Sequence, residues 1–273
     1  MVEFTLIVLG GYWSLRICFI GDIVAYPGRR AVLGMLPDFL TDNSIDICIA
    51  NAENSAGGLG VTSKICDSLF NVGVDCITLG NHTFSNFDFI KNAGRDKRIV
   101  RPSNVNPAWP GFDYAIVEKN GDRLGVINLE GSIEITPAGS SPYEKADELI
   151  ELLKGKGVNS IFIDFHAEAT SEKAALAYHV AGRASVIAGT HTHVQTADER
   201  IIEGYTGFIT DAGMSGCIRS IIGMDIDASL RRLRDKFPAK YESAEGDAYM
   251  CGIIAELDKN GRCTSIKRFC EYE

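Results

Sequence analysis

Positive charge is scarce in this chain. Its 273 residues carry 27 lysines and arginines against 36 aspartates and glutamates, a formal net charge of −9. That balance excludes a broad basic face for nucleic acid or acidic lipid, and no stable nucleic-acid complex is expected. Any anionic ligand then needs a local positive centre. No lysine–arginine cluster supplies one, so metal ions are the natural source. Cysteine spacing is equally uninformative of a metal or redox motif: Cys18, Cys48, Cys66, Cys76, Cys217, Cys251, Cys263 and Cys270 contain no C-x-x-C pair. Reduced core thiols are expected rather than a disulfide framework. The segment Met1 to Leu15 has no basic region, contains Glu3 and is too short to span a bilayer. A cytoplasmic enzyme without membrane association is the expectation. No linker, internal repeat or low-complexity tract divides the chain. One domain is expected over 15–273, with 1–14 as an N-terminal extension that reads as an edge strand, Phe4 to Leu9, a flexible tail or an extended start of the reading frame. Homo-oligomerisation is left open.

What is present is apolar: 45% of the residues are hydrophobic, enough for a sizeable core. Short, continuous apolar runs at about 16–20, 45–50, 75–79, 160–165 and 184–188 read as parallel strands buried on both faces. Helical patterns lie between them at Arg29 to Leu40, Thr62 to Asn71, Tyr143 to Lys154 and Ser171 to Val180. The second starts from Thr62 or Ser63 and the fourth from Thr170 or Ser171. Asn120-Gly121 and Asn260-Gly261 each sit between two strand-like runs and signal hairpins, hence a second, more antiparallel sheet. Two mixed sheets face to face with helices outside make a four-layer α/β/β/α sandwich, the expected fold. Gly131 to Ser141, rich in Gly, Ser, Thr and Pro, is expected to be a mobile loop.

Histidine is rare, at five residues, yet four of the five stand at the ends of apolar runs. They are His82 in Gly80-Asn81-His82, His166 in Asp164-Phe165-His166, and His191 and His193 in Gly189-Thr190-His191-Thr192-His193. Gly21-Asp22 ends the first run, and Asn51-Ala52-Glu53-Asn54 ends the second. Carboxyl ends of parallel strands are where α/β proteins build sites, so five strands would deliver these groups to one rim. In an extended H-x-H, residues two apart face the same side, which would aim His191 and His193 together and Thr192 away. Asn81 offers an amide oxygen to a metal while His82, next in sequence, points elsewhere and is free to work on a substrate. Carboxylate, amide and imidazole donors together suit Mn, Fe, Co or Zn better than Ca or Mg.

These strings resemble the ordered signature of the calcineurin-like metallophosphoesterases, and more closely its bacterial YmdB-like branch. The longest of them are His166-Ala167-Glu168-Ala169-Thr170-Ser171-Glu172-Lys173 and Thr190 through Arg200, and the resemblance runs from about Leu15 to the C-terminus. Val24 stands where the wider superfamily carries a histidine, and Glu53 where it carries a bridging aspartate; both departures are similar to those of the YmdB-like branch. The resemblance implies two divalent ions, with Fe or Mn expected and Zn or Co as alternatives. One would be held by Asp22, Glu53, Asn54 and His193, the other by Glu53, Asn81, His166 and His191, with Glu53 bridging. Two such ions bring about +4 against two carboxylates, leaving a positive balance for phosphate. His82 would then serve the leaving oxygen. The implied activity is hydrolysis of phosphodiesters, cyclic nucleotides such as 2′,3′-cAMP among them.

Two rival readings stand beside it. A phosphomonoesterase or nucleotidase would use the same ligands, and a regulatory metal- or nucleotide-binding protein would keep them without turnover. Gly57-Gly58-Leu59-Gly60 lacks the Lys-Ser/Thr ending of a P-loop and reads as a flexible turn. Glu168 and Asp198 follow the ligand strings and are candidates for orienting ligands. Arg29 and Arg30 read as the start of a helix on a solvated face, with substrate binding as the alternative; Lys64, Arg101 and Arg200 are similar cases, and His179 reads as structural.

Overall fold

The computed structural model describes residues 14–135 and 139–273. The expectation for Phe4 to Leu9, and the centre of the Gly131 to Ser141 loop, lie outside the described residues.

In chain order the elements are β1 (Ser14–Ile20), β2 (Asp22–Ile23), α1 (Ala25–Asp42), β3 (Ile47–Asn51), α2 (Ser63–Asn71), β4 (Cys76–Thr78), α3 (Phe87–Asn92) and β5 (Ile99–Val100). They continue with β6 (Tyr114–Lys119), β7 (Asp122–Glu130), α4 (Pro142–Gly155), β8 (Ser160–His166), α5 (Thr170–Val180) and β9 (Val186–Thr190). The last are β10 (Arg200–Ile202), β11 (Thr206–Ile209), β12 (Met214–Cys217), α6 (Ile226–Leu233), β13 (Ala248–Asp258) and β14 (Cys263–Tyr272). One sheet runs β2-β12-β13-β1-β3-β4-β5, with β14 also paired to β13; the other runs β10-β11-β9-β8-β7-β6. Both are mixed. The hairpin around Asn120-Gly121 is an edge of the second sheet, whereas the one around Asn260-Gly261 joins the first. The turn residues mark a hairpin but not its neighbours, so in place of a second, more antiparallel sheet each mixed sheet carries one of the hairpins.

Period-two alternation explains the layers. In β1, Leu15, Ile17 and Phe19 face the other sheet, and Phe19 meets Phe162 of β8 at 4.8 Å between ring centroids. Cys18 and Ile20 face the opposite way, onto Val32, Leu36 and Phe39 of α1. Ile161, Ile163 and Phe165 of β8 likewise turn toward α4 and α5, packing with Leu149, Leu153 and Leu176. Strands buried on both faces must be apolar throughout, which is why they read as unbroken runs. The result is the expected four-layer α/β/β/α sandwich. Among the described residues no helix is long and apolar enough to cross a membrane.

Several boundaries differ from expectation. Helix α1 begins at Ala25, four residues before Arg29, because the Ala25 N–H is taken by the Asn54 carbonyl and that of Val24 by the Ser215 carbonyl, so the helix starts at the rim. The α2 cap is the Thr62 hydroxyl, accepting from Ile65, but α5 has no side-chain cap: Thr170 is already inside the helix and Ala169 precedes it. Helices α3 and α6 are short additions outside the expected set. Cys251 and Cys270 lie directly opposite in β13 and β14 and are joined in a disulfide, with Cα atoms 4.2 Å apart, which corrects the expectation of reduced thiols. Antiparallel register creates that proximity, and register is invisible in a spacing of 19 residues. The other six cysteines are buried and free, as expected.

Candidate metal centre

The carboxyl ends of β1, β3, β4, β8 and β9 come to one rim, and each delivers its group. Asp22 follows β1, Glu53 and Asn54 follow β3, Asn81 and His82 follow β4, His166 ends β8, and His191 and His193 follow β9. Asp22, Glu53 and His166 are fully buried. Room for them to meet depends on Gly80: a Cβ there would overlap Glu53 Oε2 and lie 2.5 Å from His166 Cδ2.

The atoms gather around His166 Nε2. Asn81 Oδ1 is 2.9 Å away, Glu53 Oε1 3.1 Å and His191 Nδ1 3.1 Å. All three neighbours bring lone pairs, and one nitrogen can offer them at most one proton. A cation satisfies them together: Glu53, His166 and His191 present ligand atoms within 4.8 Å of one another, a group able to hold a metal ion. Beside it, Asn54 Nδ2 reaches Glu53 Oε1 at 3.0 Å and His193 Nε2 at 3.1 Å. Asp22 Oδ2 accepts from the His191 N–H at 3.0 Å, whereas its Oδ1 is buried without any hydrogen-bond partner, 4.0 Å from His166 Nδ1. That buried oxygen, at the rim with the other donors, is a lone pair open to a cation. Asn54 turns its NH₂ toward this region, so ligation through its oxygen needs half a turn of the amide. The donor set as a whole fits a divalent-ion centre.

Each imidazole is held by its second nitrogen so that the first faces the centre. His166 Nδ1 lies 2.9 Å from Thr190 Oγ1, and the Thr190 hydroxyl donates to Asp164 Oδ1 at 2.7 Å. With its proton spent on Asp164, Thr190 accepts from Nδ1 and leaves Nε2 for the cluster. His191 Nε2 meets Glu168 Oε2 at 3.1 Å, freeing Nδ1; His193 Nδ1 donates to the Ile222 carbonyl at 2.9 Å, freeing Nε2. Such outer partners set tautomer and ring direction in metal sites. The electrostatics agree. Burial opposes charge on His166, yet the carboxylates of Glu53, Asp22 and Asp164 raise it to about 10, while burial and the His166 charge push His191 down to about 3. Positive charge is drawn to the middle of the cluster.

The H-x-H segment is not extended. His191 has φ +99° and His193 φ +63°, both left-handed, so the two rings reach the site from a tight turn. Asp211 holds that turn: its Oδ2 accepts from the Thr192 N–H at 3.1 Å and hydroxyl at 2.8 Å, and from Lys173 Nζ at 2.7 Å. The extended reading brings the two rings to the rim by the wrong geometry, because the tertiary contact to Asp211 overrides local preference.

His82 stands apart from the donor cluster. Its N–H donates to Glu53 Oε2 at 2.9 Å. Its side chain lines a cavity of about 470 Å³ together with Glu53, Asn54, Glu168, His191 and His193. Of the two residues expected to orient ligands, Glu168 meets the His191 ring, while Asp198 bonds Thr196, Thr210 and Arg200 instead. Sequence reasoning did not single out Asp164, Thr190, Asp211, Lys173 or Ile222. The spacing of Asp164 two residues before His166 on one strand was a usable signal; Ile222 acts through its backbone and left none.

The match to a family profile described as YmdB-like protein covers residues 18–269. A 2′,3′-cyclic-nucleotide 2′-phosphodiesterase of Bacillus subtilis (strain 168) is 44% identical over 247 residues, covering 89% of this chain and 92% of the relative. The crystal structure of a novel phosphatase from Mycoplasma pneumoniae superposes with TM-score 0.89 at 30% identity, covering 96% of this chain and 95% of that one. A 5′-nucleotidase precursor from Thermus thermophilus shares the fold alone, with TM-score 0.54 and 17% identity over 95% of this chain and 54% of its own. With the four-layer sandwich and the rim of strand-end donors, these likenesses place the chain in the YmdB-like family of calcineurin-like metallophosphoesterases.

Proposed function

We propose that this protein is a dimetal phosphodiesterase acting on cyclic nucleotides such as 2′,3′-cAMP. Asp22, Glu53, Asn54 and His193 would hold one divalent ion and Glu53, Asn81, His166 and His191 the other, with Glu53 shared. When bound, such ions neutralise the phosphate and make hydroxide available near neutral pH. The observation that carries the reading is the convergence of Asn81 Oδ1, Glu53 Oε1 and His191 Nδ1 on His166 Nε2, all within 3.1 Å. The name of the Bacillus subtilis relative, 44% identical, supports the substrate class.

The chain's own residues do the rest. His82, facing the cavity without serving as a ligand, protonates the departing oxygen. Thr190, Glu168 and the Ile222 carbonyl keep the three imidazoles aimed inward. Asp22, Glu53 and His166 are buried beneath the cavity, where their charges act through a low dielectric. Purified protein reconstituted with Mn or Fe is expected to hydrolyse 2′,3′-cAMP and bis-p-nitrophenyl phosphate, with little turnover of p-nitrophenyl phosphate. Absence of metal-dependent turnover of either diester overturns the proposal, and a preference for the monoester shifts it to a phosphomonoesterase.

A further inference from the structure

The cavity above the donor cluster has two unlike sides. Glu53, Asn54, His82, Glu168, His191 and His193 give it polar lining, while Leu59, Ile222, Met224 and Tyr241 form an apolar wall. No polar chemistry of the centre uses those four side chains. Yet Leu59 is 45%, Ile222 46% and Tyr241 53% exposed, while Met224 is buried beside them. Apolar surface held open inside a polar cleft is the mark of a ligand contact.

The wall is built rather than incidental. Tyr241 and Met224 line both this cavity and a smaller neighbour of about 200 Å³, which also contains Arg232. The Arg232 guanidinium lies 4.8 Å from the Tyr241 ring centroid and is anchored by a bond to the Ala239 carbonyl at 3.2 Å. The aromatic ring is therefore a partition, backed by a cation on the side of the smaller cavity. Ile222 sits at φ +47°, a costly conformation for a β-branched residue. That turn aims its carbonyl at His193 Nδ1, and reciprocal backbone bonds of 2.9 Å between Ile221 and Met224 close it. The wall is thus tied through one residue to a proposed ligand. Leu59 enters from a loop in which Gly57, Gly58 and Gly60 all have positive φ.

We infer that this wall is the seat of the substrate's nucleobase, with the base laid on Tyr241 and its edges covered by Leu59, Ile222 and Met224. The inference rests on the phosphodiesterase reading for the place of the phosphate at the donor cluster. A planar aromatic group is what an aromatic platform flanked by aliphatic side chains receives, and every base has such a face. The four wall side chains carry one hydroxyl and no amide or charge, so their contact with the base is stacking and apolar cover.

The test compares 2′,3′-cAMP with the 2,3-cyclic phosphate of 1-O-methylribose, which has no base. Wild type is expected to show a KM lower by about tenfold for the nucleotide. Tyr241→Ala collapses that ratio toward one, and Tyr241→Phe keeps it. Equal KM values for the two substrates in wild type, or a ratio unchanged in Tyr241→Ala, overturn the base subsite. If wild type hydrolyses neither substrate, the phosphodiesterase reading fails by itself. Calorimetric Kd values of adenosine 3′-monophosphate and ribose 3-phosphate then decide the subsite, with the same ratio expected in wild type and lost in Tyr241→Ala, and equal affinities in wild type overturning it.

Discussion

Replacing Lys173 by methionine tests how the H-x-H turn is held. Lys173 Nζ and Asp211 Oδ2 are 2.7 Å apart with both side chains at most 1% exposed. Methionine keeps the unbranched shape and the helix propensity of lysine in α5, is one atom shorter, and removes the charge. The Asp211 carboxylate is then buried with only neutral donors: the N–H and hydroxyl of Thr192 and the Gly213 N–H. Breaking a buried pair from one side costs about 3–5 kcal/mol. Three remaining hydrogen bonds hold the loss to the lower end, about 3 kcal/mol, or roughly 6–12 °C in Tm for a chain of this size. Urea and thermal unfolding of metal-free protein give the number without linkage from bound ions. The double variant Lys173→Met with Asp211→Asn discharges the carboxylate and should recover at least half of the loss. A change under about 0.5 kcal/mol in the single variant, or a double variant no more stable than the single, would refute the reasoning, since the cost assigned here is that of an uncompensated buried charge.

Three further outcomes follow from the site. Gly80→Ala puts a Cβ against Glu53 Oε2 and His166, and should lower metal content at least tenfold by elemental analysis with circular dichroism unchanged; full metal loading would show that the donor cluster is looser than described. His82→Ala should keep its metal while turnover of 2′,3′-cAMP falls by about 10²–10⁴, and unchanged turnover removes His82 from the acid role. Glu130 is buried with neither carboxylate oxygen bonded, and burial raises it from 4.5 to about 7. A raised carboxyl group contributes full stability below its unfolded value of 4.5 and loses it as pH climbs through about 7. Metal-free Glu130→Gln should therefore gain on wild type as pH rises from about 5 to about 8 in urea midpoints, and parallel pH profiles would contradict the burial of that carboxylate.

The candidate ligand residues were legible because the signal is local. An apolar run of five or so residues that stops at Asp, Asn or His states both the strand and the position of its last side chain. The four-layer architecture followed from counting such runs, their helices and the Asn-Gly hairpins. Where the local rule failed, a distant contact had decided the conformation: Asp211 turned His191 and His193 left-handed, Asn54 and Ser215 started α1 early, and the β13–β14 register brought Cys251 to Cys270.

By itself, then, the sequence determined which residues end the strands, which donors they offer, and a net charge of −9 with no lysine–arginine cluster to draw an anion. Only the tertiary structure decided how those donors meet: which nitrogen of each imidazole faces inward, which buried pair clamps the turn, and that Leu59 shares a cavity wall with Ile222, Met224 and Tyr241. Periodicity and chain punctuation act over a few residues and are written in order. The selection of a tautomer, a left-handed turn or a cavity wall depends on atoms brought together from strands and loops far apart along the chain, and those meet only once both sheets have packed.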